Sequence, residues 1–366
     1  MLLTIVLFFV GLIALVFGSD LLVRGASKLA LSFRVSPLVV GLTVVAFGTS
    51  APELSVSVQS AYAGQVDIAL GNVVGSNIFN VLVVLGLSAI IAPLVVAQQV
   101  VRQEVPIMIG VSFLLLALAF DGGISRVDGA LLFALVIAYT TFVIRQSRRE
   151  ALAIQEEYTN EFASESTWDA HWAAQVGLIG AGLVLLVVGA DWLVSSAVTF
   201  AKYFGVSELV IGLTVVAAGT SLPELATSII AAVKGERDIA VGNVVGSNIF
   251  NILAVVGLSA LVAPTSLAVQ ASLLTFDVPV MIVVAIACLP IFLRGYSIER
   301  WEGFVFVGYY IAYAAYLVLA AQDHDLLATY GFVMTTVVVP LTVLTLATVS
   351  WRHCRTRHAR ALSSSG

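Results

Sequence analysis

Charged residues are scarce in this 366-residue chain: only 11% are Asp, Glu, Lys or Arg, whereas a soluble domain usually carries roughly 25%. Stretches such as residues 1–19 and 130–144 carry no charge at all. Apolar residues make up 60% of the chain, and the mean hydropathy is +1.05. This composition excludes an ordinary soluble protein and predicts an all-α polytopic membrane protein.

Cysteine and histidine are also rare. Cys288 lies in an apolar run and Cys354 in a basic tail, so neither a disulfide framework nor a CxxC site is indicated. The four histidines all lie in polar stretches, and the chain has no HExxH motif. With no histidine in a predicted span to act as a base, we do not expect an enzyme.

Apolar runs of about 20 residues predict eleven membrane spans. The first run lacks the basic start and the small-residue cleavage site of a signal peptide, so it is interpreted as a span. The predicted spans are residues 2–22, 37–61, 68–93, 104–120, 127–145, 173–198, 208–232, 239–263, 274–293, 302–320 and 329–350.

The basic residues predict the orientation of these spans. If the N-terminus lies outside the cell, 15 of the 17 Lys and Arg residues fall on the cytoplasmic side, and only Arg126 and Lys202 fall outside. Such a split follows the positive-inside rule. We therefore expect a multi-pass protein of the cell membrane with an outside N-terminus and a cytoplasmic C-terminus.

The decamer GNVVGSNIFN occurs twice, at residues 71–80 and 242–251. The preceding sequence is also duplicated, because residues 41–57 match residues 212–228 at 13 of 17 positions with the same offset of 171. Five predicted spans separate equivalent points of the two copies. Since five is odd, the second copy is predicted to enter the membrane from the opposite side.

An inverted repeat of this kind is typical of secondary transporters, in which two copies build one site near the membrane midplane. The alternative is a duplication kept only for packing, although polar residues are duplicated with the apolar ones. The sequence thus predicts a five-helix repeat at 1–145, a cytoplasmic linker loop at 146–172, an inverted five-helix repeat at 173–320, and an extra transmembrane helix with a basic cytoplasmic tail at 321–366.

Two glutamates are predicted in the middle of spans. Glu53 and Glu224 occupy the same place in two copies of GTSxPE, and neither has a basic residue nearby in the sequence. An ionised carboxylate at the bilayer centre costs at least ~2.5–3.5 kcal/mol. Two such groups without a basic partner require a cation or protons, unless each is a protonated, hydrogen-bonded structural acid.

The residues before each glutamate supply further oxygen atoms. Thr49 and Thr220 each lie four residues earlier, on the same face of a continuous helix. Pro52 and Pro223 directly precede the glutamates and predict a kink or break, since proline cannot complete the helical hydrogen bonding. Broken helices expose backbone carbonyl oxygens at membrane depth.

The decamer combines close packing with neutral polar groups. Its GxxxG motif permits close helix approach, and its polar residues at a spacing of four share one helix face. These residues are Asn72, Ser76 and Asn80 in the first copy, and Asn243, Ser247 and Asn251 in the second. Interhelical hydrogen bonding is the alternative role, and we assign it to Asn72, Asn77, Asn243 and Asn248.

Carboxylate, amide, hydroxyl and carbonyl oxygens together suit hard cations such as Ca²⁺ and Na⁺. The predicted spans contain no His and only Cys288 to favour zinc or copper. At ~4 Å and an effective dielectric constant of ~20, two carboxylates repel by ~4 kcal/mol, whereas a divalent cation attracts each by ~8 kcal/mol. A divalent cation can therefore hold both glutamates ionised.

GTSxPE paired with GNVVGSNIFN, in two inverted copies, resembles the α-repeats of the cation/calcium exchanger superfamily, and most closely its prokaryotic sodium/calcium exchangers. The resemblance implies antiport of Ca²⁺ against Na⁺ by alternating access, with the first and sixth spans sliding as a gate. It assigns ion binding to Glu53, Thr49, Ser76, Asn80 and the Ala46 carbonyl in the first copy, and to Glu224, Thr220, Ser247, Asn251 and the Ala217 carbonyl in the second.

The chain departs from the family pattern in three places. The predicted eleventh span is additional to the family's ten. Some members carry Asp where this chain has Asn251, and the potassium-dependent relatives carry an acid there, so the resemblance implies exchange without K⁺. The acidic stretch 146–171 is too short for the calcium-sensing domains of animal exchangers and predicts a solvated loop or a short surface helix.

Other functions remain open at this point. The nearest is Ca²⁺/H⁺ exchange by the same fold, because buried glutamates can also bind protons. A cation channel and a membrane enzyme are other classes, disfavoured by the inverted repeats and by the missing catalytic motifs. We expect no prosthetic group. The expected partners are the transported Ca²⁺ and Na⁺ ions and the lipid bilayer, with no nucleic acid and no protein partner indicated.

Overall fold

The computed structural model describes residues 1–161, 171–204, 217–322, 324–342 and 344, which are almost entirely helical. In the first half the elements are α1 (Leu2–Phe33), α2 (Pro37–Thr49), α3 (Ala51–Tyr62), α4 (Val66–Ile91), β1 (Leu94–Val95), α5 (Val100–Asp121), β2 (Gly123–Ile124) and α6 (Arg126–Glu161). In the second half they are α7 (Trp172–Tyr203), α8 (Leu222–Val233), α9 (Arg237–Val262), β3 (Leu267–Ala268), α10 (Leu273–Leu293), β4 (Ser297–Ile298), α11 (Arg300–Ala321) and α12 (Leu326–Thr342).

Eight of the described helices are long and apolar enough to cross a membrane: α1, α4, α5, α6, α7, α9, α10 and α11. Helices α2 and α3 together form a ninth candidate span. The predicted all-α polytopic fold is therefore confirmed. Helices α8 and α12 are shorter, and the predicted spans 208–232 and 329–350 continue from them into residues outside the described ranges.

Two helices extend well beyond the predicted spans. The first span was expected to end at residue 22, but α1 continues to Phe33, and the fifth was expected to end at residue 145, but α6 continues to Glu161. The first part of the predicted 146–172 linker loop is therefore helical, and residues 162–170 lie outside the description. Hydropathy locates only the apolar part of a helix, whereas good helix formers such as the Glu, Ala, Leu and Gln that follow residue 149 continue it.

Helices α1 and α7, the first of each half, pack against each other and are antiparallel. Gly11 of α1 lies against Gly189 of α7, and about four turns further along α1, Gly25 lies against Gln175. A Cβ atom added to Gly11 would lie 2.8 Å from the Gly189 carbonyl oxygen. Only glycine permits so close an approach of two backbones.

Two short antiparallel strand pairs mark the two ends of the bundle. Strand β1, just after α4, pairs with β4, and β2, just after α5, pairs with β3. Helix α5 runs from the first pair to the second. Its 22 residues span about 33 Å, so the pairs lie at opposite ends. Each pair joins one half of the chain to the other.

The second copy of the decamer packs closely on the first half. A Cβ atom on Gly242 would lie 2.8 Å from the Leu38 carbonyl oxygen, and one on Gly246 would lie 2.6 Å from that of Leu42. The close approach predicted from GxxxG therefore occurs between α9 and α2. The GxxxG of the first copy would contact the equivalent residues of the second half, at positions 209 and 213. These positions lie outside the described chain, so close packing at the first GxxxG stays a prediction.

Candidate functional site

The helix break predicted at the first proline is present. Helix α2 ends at Thr49 and α3 begins at Ala51, and the two axes differ by 46°. Pro52 lies in the first turn of α3, where a missing backbone N–H leaves no hydrogen bond unmade. In the second half the helical turn Ala217–Gly219 precedes α8, and Pro223 again lies in the first turn.

Each break places a glutamate at a helix N-terminus. Glu53 and Glu224 lie in the first turns of α3 and α8, where free backbone N–H groups and the helix dipole favour an anion. Both residues are completely buried. Two ion pairs of the described residues, Lys234 with Asp20 and Arg294 with Glu302, involve neither glutamate.

Serine hydroxyls connect each glutamate to the other half of the chain. Ser50, at the break between α2 and α3, donates to Glu224 Oε1 at 3.0 Å. Ser221, at the equivalent break before α8, donates to Glu53 Oε1 at 2.9 Å. The two carboxyl groups therefore belong to one shared cluster rather than to two separate ones.

The serines of the two decamers reach the same carboxyl groups. Ser76 donates to Glu53 Oε1 at 3.4 Å. Ser247 lies beside the Glu224 carboxyl, but its hydroxyl has no hydrogen-bond partner among the described residues. The structure thus brings both predicted serines to the glutamates.

The threonines also bond across the two halves. Thr49 donates to Asn243 Oδ1 at 3.0 Å and lies beside the Glu224 carboxyl. Thr220 donates to Asn72 Oδ1 at 3.3 Å. The sequence places each threonine on the face of its own glutamate, but the helix break between them turns it towards the other half. It therefore contacts the opposite repeat.

Ala46 and Ala217, whose backbone carbonyl oxygens were assigned to ion binding, lie on the helical segments that precede the two breaks. The Ala46 carbonyl oxygen accepts the backbone N–H of Ser50 at 3.0 Å and lies 3.3 Å from the Thr49 hydroxyl. Ala217 begins the helical turn before the second break. Residues 205–216, directly before it, lie outside the described chain.

Asparagine side chains tie the surrounding helices together, as predicted for four of them. Asn72 donates to the Glu53 carbonyl oxygen and to Ser57 Oγ, at 3.3 and 3.0 Å. The amide groups of Asn77 and Asn248 donate to each other's backbone carbonyl oxygens at 3.2 and 3.4 Å. Asn243 repeats the contacts of Asn72 in the second half, with Glu224 and Ser228. The interhelical role is confirmed for Asn72, Asn77, Asn243 and Asn248.

The remaining asparagines, Asn80 and Asn251, are turned differently. Both are completely buried at the start of a π-helical turn. Asn251 donates its amide N–H to Asn77 Oδ1 at 3.1 Å, and its own Oδ1 atom accepts no hydrogen bond from a described residue. Neither polar atom of Asn80 has a partner in the described part of the chain.

Oδ1 of the interhelical Asn248 accepts no hydrogen bond from a described residue. Among the residues assigned to ion binding, five further buried oxygen atoms accept none: Oε2 of Glu53, Oε2 of Glu224, Oδ1 of Asn80, Oδ1 of Asn251 and Oγ of Ser247. Buried polar atoms are almost always hydrogen-bonded, so such a group needs an explanation. All five are hard oxygen donors, the kind that Ca²⁺ and Na⁺ bind. Among the described residues no cluster of three or more His, Cys, Asp or Glu offers another metal site.

Sequence reasoning missed Ser50 and Ser221 as members of the cluster. The available signal was their duplication inside GTSxPE, directly after the two threonines. What hid them was the helical periodicity, because a continuous helix would turn these serines about 100° away from the threonines. The break at each proline removes that constraint.

Comparison with known proteins gives a consistent result. The family model described as sodium/calcium exchanger protein matches residues 3–145 and 174–319. The putative antiporter CaxA of Alkalimonas amylolytica is 39% identical over 86% of this chain and 98% of its own. The sodium/calcium exchanger MaX1 of Methanosarcina acetivorans is 33% identical over 84% of this chain and 96% of its own.

The fold is also similar to solved structures. The sodium-calcium exchanger NCX_Mj, soaked with Na⁺ and Ca²⁺, superimposes with a TM-score of 0.73 at 31% sequence identity. The match covers 86% of this chain and 98% of that one. The similarity therefore extends over nearly the whole transporter and is not limited to the two repeated motifs.

Proposed function

The chain belongs to the sodium/calcium exchanger family and is a membrane transporter rather than an enzyme, and on that premise we propose that it exchanges Ca²⁺ for Na⁺ at one site between Glu53 and Glu224. The two ions bind alternately, because each satisfies the same buried oxygen atoms. The site opens to one side of the membrane at a time.

The observation that carries this proposal is the set of five buried oxygen atoms without hydrogen bonds around two carboxyl groups. Cations bound between the two carboxyl groups would give such oxygen atoms the partners they lack. With an effective dielectric constant of ~20 and a separation of ~4 Å, the repulsion of two carboxylates is ~4 kcal/mol, and the attraction of each to a divalent ion is ~8 kcal/mol. The charge balance therefore favours an ion with two positive charges, or two ions with one.

Each group in the cluster has a proposed role. The two glutamates supply the negative charge, and Asn80, Asn251 and the decamer serines supply neutral oxygen atoms. Thr49, Thr220 and the carbonyl oxygens of Ala46 and Ala217 complete the coordination from the broken helices. Ser50 and Ser221 hold the glutamate Oε1 atoms, which leaves the Oε2 atoms to face the cation.

Alternating access follows if the two halves, residues 1–145 and 173–320, are inverted relative to each other. The antiparallel packing of α1 on α7 supports this inversion, and so do the strand pairs that join opposite halves at each end. Two inverted halves can exchange conformations, so that the shared site faces first one compartment and then the other.

Ca²⁺/H⁺ exchange remains the second candidate, because two buried carboxyl groups bonded only to neutral donors can also take up protons. Purified protein in lipid vesicles separates the two. We expect rapid Ca²⁺ uptake into vesicles loaded with Na⁺, and no uptake above background when a pH gradient replaces Na⁺. Uptake driven equally well by the pH gradient would establish the second candidate, and uptake without any counter-ion would indicate a channel.

We also propose that the N-terminus faces outward and the basic C-terminal tail faces the cytoplasm, since 15 of 17 basic residues then lie on the cytoplasmic side. An alkaline phosphatase fusion after Gly366 should be inactive, and a green fluorescent protein fusion at the same place should be bright. An active phosphatase fusion at this position would show that the C-terminus lies outside the cytoplasm and would contradict the proposed orientation.

A further inference from the structure

Two buried serines outside the central cluster occupy equivalent positions in the two halves. Ser88 on α4 and Ser259 on α9 are 171 residues apart and are 0% and 1% exposed. Neither hydroxyl has a hydrogen-bond partner among the residues described. The same unusual feature therefore occurs twice, on the two helices that carry the decamers.

These hydroxyls differ from three other buried hydroxyls of the membrane helices. Ser19, Thr43 and Ser112 each donate to the carbonyl oxygen four residues earlier, at 2.7, 2.6 and 2.8 Å. That bond is the usual way for a helix to satisfy a buried serine or threonine. Because Ser88 and Ser259 do not make it, their hydroxyl groups remain available to a ligand.

The helix geometry shows where the two serines point. The Cα of Gly86 faces α11, since an added Cβ would lie 3.1 Å from the Gly303 carbonyl oxygen. Ser88 is two residues later, about 200° around the helix, so it points to the opposite side, where α4 packs against α8. By the same reasoning Gly257 faces α6, and Ser259 points towards α3. Each serine thus faces the helix that carries the glutamate of the other half.

Each serine lies between the central cluster and one end of the bundle. Ser88 follows Asn80 by eight residues and Ser259 follows Asn251 by eight, a distance of about 12 Å along the helix axis. Helix α4 ends beside β1, and α9 ends before β3. Since the two strand pairs mark opposite ends, the two serines lie on opposite sides of the cluster.

A third unpartnered hydroxyl lies on the Ser88 side. Thr227 is one turn beyond Glu224 on α8, is completely buried, and has no hydrogen bond in the described structure. The equivalent residue in the first half is Val56, which has no hydroxyl. Between these equivalent positions the two sides are therefore unequal, with Ser88 and Thr227 towards the β1 end and Ser259 towards the β3 end.

From these observations we propose that Ser88 with Thr227, and Ser259 alone, form two secondary cation sites on the two paths between the central site and the membrane faces. This inference rests on the proposed cation exchange. Each hydroxyl replaces one water of a partly dehydrated Na⁺ or Ca²⁺ as the ion passes. A neutral hydroxyl binds a cation weakly, so the ion is stabilised without being held.

The test uses Ser88→Ala, Thr227→Val and Ser259→Ala in vesicles of uniform orientation, with the Ca²⁺ KM measured at each membrane face while the other face is saturated. We expect Ser88→Ala and Thr227→Val to raise the KM about fivefold at the face nearer β1 and less than about twofold at the other face. Ser259→Ala should give the reverse pattern. Ser112→Ala is the matched control, because its buried hydroxyl is already bonded, and it should change neither KM.

Thermal unfolding of the same variants excludes a packing effect. Replacing a buried unpartnered hydroxyl should leave Tm unchanged or raise it, since the folded state loses an unsatisfied group. Unchanged KM values at both faces, an equal rise at both faces, or a rise accompanied by a lower Tm would overturn the secondary sites. Wild-type vesicles in the same experiment test the proposed exchange separately. Absence of Na⁺-driven Ca²⁺ uptake in them would overturn the exchange itself, whereas the KM values of the variants at the two faces test only the secondary sites.

Discussion

Replacing Glu53 or Glu224 with Gln is expected to reduce Ca²⁺ exchange at least ~100-fold, which corresponds to ~2.7 kcal/mol. Glutamine has the same shape and keeps one oxygen atom, but it removes one of the two negative charges of the cluster. Each carboxylate attracts a divalent cation by ~8 kcal/mol before desolvation, so even a third of that term accounts for the loss. The measurement is the initial rate of ⁴⁵Ca²⁺ uptake into Na⁺-loaded vesicles.

Both variants should remain folded, because the substitution keeps the side-chain volume. Glu104→Gln is the matched control: Glu104 is equally buried, but its two carboxyl oxygens accept hydrogen bonds from Gln99, Gln103 and Tyr139. The exchange rate of Glu104→Gln per folded molecule should stay within about threefold of the wild-type rate, far from the ~100-fold loss expected at the two site glutamates. Near-normal exchange in both Glu53→Gln and Glu224→Gln would rule out the shared site.

Exchange should also carry net positive charge in the direction of Na⁺ movement. Two ionised glutamates give the site a charge of −2, which one Ca²⁺ or two Na⁺ would neutralise. The neutral oxygens of Asn80, Asn251, Ser76 and Ser247 offer room for a third Na⁺, which would give the loaded site a charge of +1. One charge crossing ~100 mV is worth ~2.3 kcal/mol, so an inside-positive potential should accelerate Ca²⁺ uptake into Na⁺-loaded vesicles severalfold.

The same vesicles test whether K⁺ takes part. Asn251 is neutral and donates to Asn77, so this position supplies no negative charge that would attract K⁺. Uptake should be the same when choline replaces K⁺ at a fixed potential. A requirement for K⁺ would show that Asn251 does not exclude it, and uptake independent of the potential would show that exchange is electrically neutral.

Much of the architecture could be predicted from the sequence because two features of the sequence are strong signals. Apolar runs identify spans, and the exact repetition of the decamer identifies two equivalent halves. The break beside Pro52 was predictable because proline cannot complete the hydrogen bonding of a helix interior. The extension of α1 to Phe33 was not, since charged residues that follow a span continue a helix without any hydropathy signal.

The contacts of the cluster were predictable only in part. Burial of Glu53 and Glu224 and the interhelical bonds of Asn72 and Asn243 follow from polar residues in apolar helices. The hydrogen bonds from Ser50 to Glu224 and from Ser221 to Glu53 could not be predicted, because they depend on how the two halves are placed in space. A sequence specifies which residues share a helix face, but not which face of another helix lies opposite.

Equilibrium binding of ⁴⁵Ca²⁺ to the purified protein tests the central claim most directly, because it requires neither a gradient nor a complete transport cycle. The site between Glu53 and Glu224 should bind one Ca²⁺ per chain, Na⁺ should displace it competitively, and the double variant Glu53→Gln/Glu224→Gln should bind none. Ca²⁺ that remains bound to a folded double variant, or that Na⁺ does not displace, would contradict one shared site for the two ions.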